Sequence, residues 1–88
     1  MIDKIKLALR ISTDKLDLEI NDLIEAAKLD LKISGLKKID ESDPLIQQAI
    51  KVYCKANWGL ENKDSEKFQN SYENIKNHLA LCGEYNVG

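Results

Sequence analysis

The side chains able to do chemistry are few and scattered. The only histidine is His78, and the two cysteines are Cys54 and Cys82. A hydrolytic triad needs a base held beside its nucleophile. His78 lies in a mostly polar helical run and reads as a surface histidine. The cysteines form no CxxC pair, and one histidine cannot complete a zinc site with them. Each cysteine falls on the apolar side of a helical pattern. That predicts two small buried hydrophobes in a reducing compartment, with no disulfide forced. Glu19 and Asp22 are spaced like a carboxylate pair, but acids on a helix are ordinarily solvated charges. The four glycines are scattered, so no phosphate-cradling loop exists. These residues imply neither catalysis nor a metal nor a cofactor.

Composition narrows the classes further. The chain has 88 residues, which predicts one domain with a small core. Thirteen Lys and Arg stand against 15 Asp and Glu, a formal charge of −2. Nucleic-acid binding through the phosphate backbone needs a surplus of cations, so the near balance argues against it, though a local basic patch is not excluded. No apolar run approaches a membrane span, and no signal peptide opens the sequence, which predicts a protein without a membrane partner. Asp64-Ser65 opening a helix invites comparison with acyl carrier proteins, which carry phosphopantetheine on an Asp-Ser-Leu serine. Here Glu66 follows the serine, and the pair reads as a helix cap.

The elements that would position any site are helical throughout. The central stretch runs from Asp14 to Gly35. Leu16, Ile20, Leu23, Ile24, Ala27 and Leu31 form one apolar stripe, Asp14 is a candidate cap and Gly35 a candidate stop. A second row, Leu18, Leu29 and Ile33 with Ala26 beside them, falls on nearly the opposite side. A helix apolar on two sides must be covered twice. The leading segment, residues 2–11, suits a short helix of roughly 15 Å. Through Ile5 and Leu9 it is the simplest intramolecular cover, yet the second row rises over about 20 Å. Part of that row is therefore expected to stay open and to meet another subunit, through Leu18, Ala26, Leu29 and Ile33.

Asp43-Pro44 is a strong helix start, with Asp as N-cap and Pro at the first helical position. The helix it opens is expected to reach Gly59, with Leu45, Ala49, Val52, Tyr53 and Ala56 on one side and Ile46, Ile50 and Cys54 widening the face. Leu36 and Ile39 are expected to plug the preceding loop. Trp58 lies on the polar strip near the helix end, either folded back or offered to a partner. Asp64 or Ser65 starts a last helix whose Phe68, Tyr72, Ile75, Leu79 and Cys82 make a narrow seam. Gly83 stops it. The tail 84–88 is expected to be mobile until it docks, with Tyr85 and Val87 as its contact residues. The reading is all-α: a compact antiparallel bundle of three main helices plus a short N-terminal one, a single domain over 1–83 followed by the tail.

Three blocks in this order resemble the small all-α head–tail connector (adaptor) proteins of tailed bacteriophages and prophages. They are Leu9-Arg10-Ile11 with a polar break and then the run from Asp17 to Gly35; Asp43-Pro44-Leu45 leading into IQQAIKVYCKANWG; and the stripe Phe68, Tyr72, Ile75, Leu79. The segment after Trp58 departs from many relatives, which carry a tyrosine and basic residues where this chain has Gly59-Leu60-Glu61-Asn62. The resemblance implies a structural protein of the virion neck, present in the host cytoplasm before assembly. It implies a homo-oligomeric ring, by that likeness of twelve subunits, below the portal protein. Such a ring extends the DNA channel, so that DNA only passes through, and offers a platform to the stopper or tail protein. No enzyme activity and no cofactor are implied. The rival readings are a generic helical protein-binding module or regulator and a helix-turn-helix DNA binder. Against the latter, the loop before Asp43 is long, and Gln47, Gln48, Lys51 and Lys55 make only a thin basic strip.

Overall fold

The computed structural model describes residues 1–37, 39–58 and 63–81. Among these residues lie four helices, α1 (Ile2–Leu9), α2 (Asp17–Ile33), α3 (Pro44–Asn57) and α4 (Ser65–Leu81), and no strand. The expected all-α fold is thus observed. The third helix is the hub. It has the broadest apolar face, and Ile46, Ala49, Ile50, Val52, Cys54 and Ala56 are all buried. Helices α4, α2 and α1 each pack on it, and α1 also packs on α2. The core joins Ile5 of α1 to Ile20, Ile24, Ala27 and Leu31 of α2 and to Tyr72 and Leu79 of α4. The radius of gyration of 12.8 Å is close to the roughly 12 Å expected of a compact chain of this length.

Helix ends follow local chemistry, with three departures from expectation. Asp43 caps α3 as expected, its Oδ1 accepting the Leu45 N–H at 2.8 Å with Pro44 at the first helical position. The helix ends at Asn57 rather than continuing to Gly59, because Trp58 has turned extended. Asp14 is not the cap of α2. That position falls to Leu16, and Asp14 instead forms a turn and pairs with Lys6 of α1 at 2.7 Å. Lys6 also reaches Asp17 at 2.9 Å, tying α1 to the start of α2. Leu45, expected on the buried side of α3, is 47% exposed, because the buried side of that turn is taken by Ile46, which is fully buried about 100° further round the helix.

Gly35 stops α2 as its position predicts. With φ +108° it turns the chain so that its own N–H meets the Lys32 carbonyl and the Leu36 N–H meets the Leu31 carbonyl. This is the double-bonded Schellman stop, with Leu36 buried beneath it. No atom stands within 4 Å of where a Cβ would go, so the glycine is needed for its φ and not for space. Gly35→Ala is expected to lower stability by about 1 kcal/mol, read as a fall in thermal midpoint of about 4–8 °C. An unchanged midpoint would mean that the turn relaxes without strain.

The same stop ends α1 with a different residue. The Arg10 N–H bonds the Leu7 carbonyl, the Ile11 N–H bonds the Lys6 carbonyl, and Arg10 itself takes φ +60°. A non-glycine residue in this left-handed region is uncommon.

Three carboxyls sit below their ordinary range because donors hold their charged forms. Hydrogen bonding from Lys6 lowers Asp14, from Ser42 lowers Asp40, and from Lys28 lowers Glu41, the last pair 2.5 Å apart between α2 and the loop before α3. A carboxyl depressed on folding contributes stability above its unfolded pKa and loses it as pH falls through its folded value. Lys6 and Lys28 are raised by the same partners, so their share is present below 10.5 and lost as pH rises through their folded values. The urea midpoint should therefore hold level from neutral pH to about 5 and decline below 4.5, the ordinary Glu value. A midpoint that rises on acidification would contradict these pairings.

Candidate interaction surfaces

The reactive groups that the structure describes lie on separate elements. Cys54 is fully buried, and burial pushes its thiol up to about 12, so it stays protonated at neutral pH. His78 is exposed on α4. The Ser65 hydroxyl donates to the Ala56 carbonyl at 2.8 Å, tying the start of α4 to the end of α3. Among the described residues no three His, Cys, Asp or Glu side chains gather as a metal site, and no helix is long and apolar enough to cross a membrane.

The outer face of α2 is the first conspicuous surface. Leu18, Leu29 and Ile33 are 78%, 59% and 76% exposed, and Ala26 is half-buried beside them. The expected cover by the leading helix is not found. α1 sends Ile5 into the core on the other side of α2, because Ile5 and Leu9 complete the main stripe. The row is not purely apolar. At 100° per residue Asp22 and Glu25, both exposed, fall on the same side between Leu18 and Leu29. The face is therefore two apolar ends around an acidic middle, about 22 Å long.

The second surface is a cleft of about 360 Å³ where three helix ends meet. The end of α1 supplies Ala8 and Leu9 with Arg10 just beyond it, α3 supplies Lys55 with Trp58 just beyond its end, and the start of α4 supplies Phe68 with Asp64 just before it. The Lys55 ammonium stands 5.6 Å from the centre of the Phe68 ring, within cation–π range. Trp58, which the sequence left between two roles, is half-buried: part of it packs on the core and part lines this cleft. The sequence placed Phe68 in the seam of the last helix, Lys55 on a thin basic strip and Arg10 before a polar break, but did not bring them together, because they belong to three separate elements and no local spacing links them. Tyr85 and Val87, together with Cys82 and Gly83, lie outside the described residues.

The described residues thus present two chemically distinct surfaces. Comparison with curated proteins and with solved structures gives no match. Comparison with protein families gives one described as phage connector protein, matched over residues 1–86. With nearly its whole length accounted for, the chain belongs to the phage connector protein family.

Proposed function

We propose that the chain is a structural subunit of the phage neck. It assembles as a closed ring below the portal, extends the DNA channel and offers a platform to the stopper or tail. It works by binding alone, without catalysis or cofactor. The observation that carries this reading is the outer face of α2, where three large apolar side chains stand in water on a domain whose core is already complete. Exposed apolar rows of this kind are contact sites. Leu18, Ala26, Leu29 and Ile33 are assigned to the contact with the neighbouring subunit, a heterologous contact that closes by rotation. By analogy with the family, Tyr85 and Val87 are assigned to the portal.

Deleting the gene from its phage or prophage tests this directly. The expected result is DNA-filled heads and free tails that do not join, with joining restored when the protein is supplied in trans. Normal tailed particles from the deletion would overturn the reading.

A further inference from the structure

We infer that the acidic-apolar outer face of α2 docks into the cleft at the α1–α3–α4 junction of a second copy of this chain. The inference rests on the ring reading and names the surface that receives the row. The two surfaces complement each other in charge and in polarity. One presents Leu18 followed by Asp22 and Glu25 over the next two turns. The other sets two cations, Arg10 and Lys55, and one carboxylate, Asp64, around the apolar walls of Trp58 and Phe68, a lining with one net positive charge. Leu18 is 78% exposed and is small enough to enter the 360 Å³ cleft. Seated there, it brings Asp22 and Glu25 toward the two cations and leaves Leu29 and Ile33 to cover the rim.

The contact must join two molecules, and the match of the two surfaces in charge and polarity assigns the second as another copy. The cleft is built from α1, α3 and α4, and the α2 row points away from the core that binds all four helices, so one rigid domain cannot close the contact on itself. Two different patches on one chain make a heterologous contact, which propagates as a ring when the rotation closes. The strained backbone at Arg10 fits the same assignment: an arginine at φ +60°, where glycine would be easier, keeps a cation at the mouth of the cleft.

Charge exchange tests the pairing. One variant, Arg10→Glu with Lys55→Glu, makes the cleft acidic; the other, Asp22→Lys with Glu25→Lys, makes the row basic. Each alone sets like charges face to face, and the concentration for half-assembly should rise at least about tenfold, by sedimentation velocity. Mixed in equal amounts, the two should assemble again, within about threefold of the parent, as alternating subunits. Rescue also shows that both variants are folded. Should the acidic-cleft variant lose its circular dichroism, Arg10→Glu alone, a change at an exposed position, takes its place against Asp22→Lys. Variants that each assemble like the parent, or folded variants that stay dispersed when mixed, overturn the pairing alone. A parent chain that stays monomeric at every concentration, with or without portal, overturns the ring reading and the pairing with it.

Discussion

Tyr72→Ala should remove a large share of the stability of the fold. The side chain is fully buried where α4 packs on α3, its ring meeting that of Tyr53 edge-on at 5.1 Å. Removing a buried aromatic to alanine costs about 3–5 kcal/mol, and an edge-on pair adds about 1 kcal/mol. A domain of this size holds roughly 5–13 kcal/mol in all. The thermal midpoint should drop by on the order of 15–30 °C. Tyr72→Phe separates packing from hydrogen bonding. The Tyr72 hydroxyl donates to Asp30 Oδ2 at 2.5 Å, bridging α4 to α2, and burial first and this bond second push the phenol's pKa upward. Without that hydroxyl, Asp30 keeps Lys76 at 3.4 Å and is partly open to water. The phenylalanine variant should therefore lose only about 1.5–3 kcal/mol, the range for a hydrogen bond to a charged group. Equal losses for the two variants in urea titrations would show that the hydrogen bond, and not the ring, holds α4 in place.

Leu29→Glu and Ile33→Glu should each abolish assembly and leave the fold intact. In the free subunit these positions are wet, and surface changes of this kind stay within about 0.5 kcal/mol. In the neighbour's contact the new carboxylate would replace an apolar side chain and lose its water, at a cost of several kcal/mol repeated at every subunit. Circular dichroism and sedimentation on the same samples separate the outcomes. Lost helix content would place the row in the core. Retained helix with retained assembly on the portal would place the subunit contact elsewhere.

What could be read from the sequence divides along the range of the interactions. The stripe of α2, the Asp43 cap, the Gly35 stop and the broad face of α3 depend on neighbours within a turn or two, and the chain carries those rules in its spacing. Leu36 was legible as a plug because a lone apolar residue after a stop has one place to go. The second row on α2 was legible as surplus, but not the reason it stays open. That reason is where α1 docks, which depends on how Ile5 and Leu9 fit the joint surface of α2 and α3. Asp14 looked like a cap because its type suits one; Lys6, eight residues earlier, competes for its carboxylate. The cleft was the least legible feature. It is a junction of three helix ends, and only Trp58, an aromatic on an otherwise polar strip, hinted at it.

The central claim is that this chain is a ring-forming link beneath the portal. Its most direct test is electron microscopy of the purified protein mixed with the portal of its own phage or prophage. The account predicts a single closed ring of this chain stacked coaxially on the portal, saturating at a fixed ratio and absent with Leu29→Glu. A portal left bare at saturating protein, or one decorated by scattered single subunits without a ring, would contradict it.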